Sequence, residues 1–233
     1  MNASENIKKL DELFGSYKAE WLRGKIFEFF ETPYYFSAVQ GNRPCVLQGG
    51  RGTGKTTVLR GLSYQGQYAI LNTNITLFDH NSYIGIYYRV NTNHVHAFKG
   101  RGIGEETWGN IFAHYFNLLI CWEISEFINW HKKNRPEDEV ISNHACKLIA
   151  TSLHLEGDVC SFETLMRELQ VAMYHFQSDV NNIKDQKLPQ LSMLGDPIRI
   201  FTEEALKLSQ FKNKIFYFLI DKPQKTRYYS FGV

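Results

Sequence analysis

Hydrophobic residues change their period several times along the chain, and each change marks an element. Leu10, Leu13, Phe14, Tyr17 and Trp21 recur at helical spacing, which predicts a helix over residues 4–31. Pro33 ends that pattern, and "TPYYFSAVQGNRP" reads as a short helix or turn leading to the first strand. Val46 to Gln48 reads as a short buried strand, and Gly54 to Leu62 as a helix packing through Val58, Leu59 and Leu62. Tyr83 to Phe98 is rich in β-branched and aromatic residues and predicts a strand, with a second pairing segment after Asn91. From Glu105 the spacing turns helical again. Trp108, Ile111, Phe112, Tyr115, Leu118, Leu119 and Trp122 predict one long helix ending near Lys133.

Pro136 and its acidic neighbours read as the start of a further helix over about 137–155. Another, over about 161–181, carries Phe162, Leu165, Leu169, Ala172 and Phe176 on one face. "DQKLPQLSMLGDP" reads as a loop, and Thr202 to Leu208 as a short helix. Ile215 to Ile220 is an unbroken apolar run closed by Asp221, the pattern of a central parallel strand buried on both faces. Strand, helix, strand, helices, strand is the order of an α/β sheet carrying a large helical insertion.

Composition narrows this picture only slightly. The formal charge of +2 over 233 residues gives no support for wrapping DNA as the main activity. Cys45, Cys121, Cys146 and Cys160 are widely spaced, so they read as reduced thiols of a cytoplasmic protein and not as a disulfide or zinc framework. "MNASENIKKLDELF" has no apolar run after its charges and is not a secretory signal. Ile111 to Trp130 approaches the length of a membrane span. It contains His114, Glu123 and Glu126, each costly at a bilayer centre, and is expected to be a buried amphipathic helix with no membrane partner.

The chemistry concentrates in "CVLQGGRGTGKTT", Cys45 to Thr57. Gly49, Gly54, Lys55 and Thr56 satisfy the phosphate-loop pattern G-x-x-x-x-G-K-[ST]. Such a loop wraps phosphate oxygens with backbone N–H groups, and side chains at its tight positions would clash. Gly49, Gly50, Arg51, Gly52, Thr53, Gly54, Lys55, Thr56 and Thr57 are therefore the candidate nucleotide-binding residues. The helix starting at the lysine would direct its N-terminal donors at the same phosphates. Lys55 would bridge the β- and γ-phosphates, Thr56 would ligate Mg²⁺, and Thr57 would contact the α-phosphate. Lys55 and Asp221 are the candidate catalytic residues, and Thr56 with Asp221 the candidate metal pair. The guanine signature Asn-Lys-x-Asp is absent, which favours ATP over GTP, and the ABC signature Leu-Ser-Gly-Gly-Gln is absent too.

A hydrolytic site of this class carries a glutamate directly after the strand-end aspartate. Here Lys222 and Pro223 follow. A lysine, with an ordinary pKa near 10.4, cannot serve as a general base at neutral pH. Twelve residues remain beyond Asp221, too few for further strands, a sensor and an arginine finger, so the expectation is a C-terminally truncated core produced by a frameshift or premature stop.

"RPCVLQGGRGTGKTT", "YIGIYYRVNTNHVHAFKGRGIGEETWGNIFAHYFN" and "FYFLID" together resemble prokaryotic AAA ATPases of the origin-recognition-complex-like group, from about Trp21 to Asp221. The resemblance implies an incomplete P-loop NTPase (RecA/AAA-like) parallel-sheet core, ATP as ligand and Mg²⁺ as cofactor. It carries over to Lys55, Thr56 and Asp221, and the glutamate of the pattern is replaced by Lys222. Related ATPases act in replication initiation or in defence against phage. On this basis residues 1–40 form an N-terminal helical segment, and residues 41–233 a truncated core with an insertion at about 105–210. The insertion would meet a DNA or protein partner, and a full-length form would be a homo-oligomer.

Other features weigh less. His94 and His96 share a strand face but have no third ligand nearby, and no metal centre is expected there. "HKKNRP" reads as a solvated helix end, and "KGRGIGEE" as a mobile connection in preference to a second phosphate-facing or DNA-facing loop. Two further functions stay open: an interaction module switched by nucleotide without catalysis, and a small-molecule kinase, for which Lys225 and Arg227 are the candidate lid residues.

Overall fold

The computed structural model describes residues 27, 30, 33–35, 43–50, 52–91, 95, 97–183 and 190–222. The helix expected over 4–31 falls almost wholly outside these, as do Arg51, His94, His96, Lys225 and Arg227. The described residues form seven helices and two strands, in the order α1 (Lys55–Leu62), α2 (Tyr64–Ile70), α3 (Ile75–Asp79), β1 (Tyr83–Arg89), α4 (Glu105–Asn134), α5 (Asn143–Ser152), α6 (Phe162–Asn181), α7 (Asp196–Ala205) and β2 (Ile215–Asp221).

The two strands pair in parallel, with Tyr83 opposite Ile215 and Arg89 opposite Asp221. Side chains alternate across a strand, so this register sorts them into two faces. Ile84, Ile86, Phe216 and Phe218 enter the main core with α4. Tyr83, Tyr87, Tyr217 and Leu219 instead meet Val58, Leu59 and Leu62 of α1. Gly85 lies on this second face because α1 ends against it: a Cβ there would stand 2.1 Å from the Leu62 carbonyl oxygen.

The helical layer is built on α4. Asn117 to Cys121 are five consecutive buried residues, so α4 is enclosed on every side and not on one amphipathic face. Among the described residues it is the one helix long and apolar enough to cross a membrane, and most of that stretch is buried inside the protein. It packs on α6, α7 and β1, and α5 closes the layer against α6 and α7. Phe127 is fully buried and binds the layers together, its ring centroid 5.1 Å from those of both Tyr64 and Phe211. Truncating such a side chain to alanine typically costs about 3–5 kcal/mol.

Several expectations are corrected. Val46 to Gln48 is not a strand: no ladder partner lies beside it among the described residues, and Val46 is 83% exposed. Among the described residues β2 has one strand neighbour instead of two, and Ile220 is 39% exposed. β1 stops at Arg89, and Val95 and Ala97 are helical, so the second pairing segment does not form there. The helix expected from Pro136 begins at Asn143, where Ser142 accepts the Ala145 N–H. The last helix begins at Asp196, with Pro197 in its first turn, and not at Thr202. α2 and α3 were not expected; the Ser63 and Asn74 side chains cap them.

Candidate functional site

The loop before α1 owes its shape to glycine. Gly52 and Gly54 take left-handed backbone angles, with φ of 83° and 77°. A Cβ on Gly49 would stand 2.8 Å from Thr53 Oγ1. Loop residues Gly49, Gly50, Gly52, Thr53 and Gly54 are all exposed, so the backbone is open to an approaching group. Gly54 caps α1 without a side-chain bond, and no acidic residue lies in the first turn. The helix thus presents its N-terminal N–H groups and positive dipole end with no acidic residue of its own first turn beside them.

Lys55 folds back over the loop. Its ammonium donates to the Gly49 and Gly50 carbonyls at 2.7 and 2.6 Å, and contacts Thr53 Oγ1 at 3.2 Å. Thr53 Oγ1 also donates to the Gly50 carbonyl at 2.9 Å. These neutral acceptors occupy donors that a phosphate oxygen, carrying charge, would bind more strongly.

Thr56 and Asp221 meet although they are separated by 165 positions: Thr56 Oγ1 donates to Asp221 Oδ2 at 2.9 Å. The sheet brings them together because α1 lies along the face that carries Leu219 and Asp221. Asp221 is only 9% exposed, and its backbone oxygen accepts from Val90 N–H at 2.9 Å. Thr57 follows in the first turn, half-buried, and Lys222 is exposed just beyond the carboxylate.

Tyr87 belongs to this site and escaped the sequence reading. Its hydroxyl donates to the same Asp221 Oδ2, also at 2.9 Å. Burial, and then the bond to Asp221, push the phenol well above its ordinary range; the charges of Arg89 and Arg60 pull the other way. The usable signal was its place near the end of an aromatic strand that pairs in parallel with the one ending in Asp221.

A hydroxyl and a carboxylate at one strand end form a hard, all-oxygen donor pair, which suits Mg²⁺. No group of three or more His, Cys, Asp or Glu residues fit to hold a metal occurs among the described residues.

Two sequence features take on different roles. "HKKNRP" is a clamp within the protein. His131 is 2% exposed and meets Asp79 at 3.0 Å, while Arg135 reaches Asp79 and Thr76 at 3.1 and 3.0 Å. The "KGRGIGEE" loop is pinned as well, by Trp108 Nε1 on the Gly100 carbonyl at 2.9 Å and by Arg101 on the Val180 carbonyl.

A glycine loop, the helix it opens and a carboxylate at the end of a parallel strand come together in this α/β protein. The chain belongs to the ORC-CDC6-like family, whose model matches residues 12–222. That membership places it among AAA-type nucleotide-binding proteins. No curated protein and no solved structure matches it.

Proposed function

We propose that this chain binds Mg-ATP through a P-loop NTPase fold and turns it over slowly or not at all. The observation that supports this best is the 2.9 Å bond between Thr56 and Asp221, which joins the loop helix to the strand end. In this reading Gly49 to Gly54 receive the phosphates with backbone donors, Lys55 pairs with their charge, and Thr57 contacts the α-phosphate. Thr56 and Asp221 hold Mg²⁺, which when bound neutralises the charge of the phosphate oxygens. Arg60 and Arg89 stand close enough to Tyr87 to act on its charge and add to a positive field at the site. Slow turnover follows from Lys222, since the residue after Asp221 offers no carboxylate to draw a proton from water.

The test combines equilibrium ATP binding with phosphate release. The wild type should bind ATP in the presence of Mg²⁺ with phosphate release at background. Lys55→Ala should weaken binding by at least about 100-fold, the loss of a charge-assisted phosphate contact and its neighbours. Unchanged affinity in that variant would refute the loop assignment, and phosphate appearing on an added acceptor would point to a kinase.

A second reading treats the nucleotide as a switch for a partner. Residues 190–195 are strapped onto α4, with Asn117 bonded to Ser192, Met193 and Gly195. The strap leaves Met193 and Leu194 76% and 66% exposed.

A further inference from the structure

The Asp221 carboxylate is asymmetric in its bonding, and the asymmetry has a direction. Oδ2 accepts two hydrogen bonds, from Thr56 and from Tyr87, each 2.9 Å long. Oδ1 accepts none among the described residues. A carboxylate oxygen has about two lone-pair directions, so Oδ2 is filled and Oδ1 is the free ligand. The two donors differ in kind. Thr56 sits in the first turn of α1, beside the open loop, and its oxygen is itself a suitable metal ligand. Tyr87 sits on β1, in register with the strand that carries Asp221, and its ring is packed between sheet and α1.

We propose that Tyr87 is a positioning residue for the metal side of this site. Its hydroxyl fixes the rotation of the Asp221 carboxylate through Oδ2, so that Oδ1 faces outward and Thr56 is the donor that can be exchanged. This rests on the Mg-ATP reading above. It predicts a division of labour: the loop sets nucleotide affinity, and Tyr87 sets how much Mg²⁺ that affinity requires.

The test is a pair of titrations on the full chain. A fluorescent ATP analogue is titrated in EDTA, and Mg²⁺ is titrated at a fixed analogue concentration, with Mn²⁺ followed by electron paramagnetic resonance as an independent readout. Tyr87→Phe removes only the hydroxyl. It should leave metal-free nucleotide affinity within about twofold and raise the half-maximal Mg²⁺ and Mn²⁺ concentrations by about fivefold, the effect of one lost hydrogen bond. In an Asp221→Asn background the same substitution should add nothing to the metal requirement, since the carboxylate it orients is gone. Equal metal requirement in wild type and Tyr87→Phe overturns the proposal. So does an equal loss of metal-free affinity, which would mark Tyr87 as merely structural. A wild type without Mg²⁺-dependent binding overturns the Mg-ATP reading instead.

Discussion

The two ends of the strand pair both carry clusters of charged and polar side chains, and the clusters behave oppositely. At the N-terminal end, Asp79, His131, Arg135, Asp138 and Lys214 bridge α3, α4 and the start of β2. The two ring nitrogens of His131 face Asp79 and Asp138 at 3.0 and 3.5 Å. Lys214 Nζ donates to the Asp79 and Asn81 carbonyls at 2.7 and 2.5 Å. The cluster borders a polar cleft of about 580 Å³, more charged than the phosphate loop. Yet the charged groups of this cluster are bonded to one another or to backbone carbonyls; among the described residues only Asn81 Nδ2 there is buried without a partner. At the C-terminal end, the Lys55 ammonium is held only by neutral oxygens that a phosphate would displace, and Asp221 Oδ1 accepts no bond among the described residues. Charge density is greater at the first end and unused bonding capacity at the second. Ligands also meet parallel strands at their carboxyl ends.

The sharpest way to break this comparison is to remove the hub of the closed cluster. Asp79→Ala deprives buried His131 and half-buried Arg135 of their shared acceptor. Leaving such donors unsatisfied should cost about 3 kcal/mol, lowering the melting temperature by several degrees. The folded variant should keep its ATP affinity within about twofold. If affinity falls as steeply as stability in chemical denaturation and binding assays, the two ends are coupled and the division is wrong.

A third polar cluster sharpens the same point. His114 Nδ1 accepts from Ser192 N–H at 3.0 Å and lies 2.8 Å from Ser192 Oγ, holding the 190–195 strap from below. Burial, assisted by His154, pushes this histidine down to about 4. Its neutral form is therefore the folded form, whereas the unfolded chain takes up a proton below about 6.5. Stability is complete above that value and is lost as pH falls toward 4, by about 2 kcal/mol between pH 7 and pH 5. Glu123 works in the opposite sense. Burial and then Glu126 push it up to about 7, so its contribution is present at low pH and fades as pH rises toward that value. The informative quantity is the difference between wild type and His114→Gln in urea unfolding at the two pH values. Identical slopes would show that His114 is not what loosens in acid.

What the sequence disclosed follows from the range of the interactions involved. α4 and α6 were legible because their apolar periodicity runs over 30 and 20 residues, long enough to outweigh local exceptions. Thr56 and Asp221, which the structure joins at 2.9 Å, stand out in the sequence because the loop pattern and the apolar run each sit within one short segment. Tyr87 does not, since its role depends on strand register and on a partner 134 positions away. The start of α5 was misplaced for a related reason. Pro136, Glu137 and Asp138 have the composition of a helix start, but Lys132 holds the Pro136 and Asp138 carbonyls at 2.7 and 2.5 Å, and His131 faces Asp138. Tertiary bonding overrode the local signal, and the first free cap was Ser142. α2 is short and contains Gly66, so nothing in its own residues marks it; a serine cap and the packing of Tyr64 against Phe127 make it a helix.

The smallest predicted effect tests the open end most directly. Lys222 is exposed immediately after Asp221, where a hydrolytic site would carry a glutamate. Lys222→Glu supplies that carboxylate and reverses one charge near the nucleotide. At the surface, with salt screening, such a change is worth roughly half a kcal/mol, so ATP affinity should weaken about twofold and less at high ionic strength. Phosphate release should remain at background, because a general base acts only when water and the γ-phosphate are both held in line with it. Tyr87 and Thr56 orient Asp221, while an exposed side chain at 222 has no such support among the described residues. A rise in phosphate release well above the wild-type rate would reverse this conclusion: Lys222 alone would be the block, and the remaining catalytic groups would already be in place.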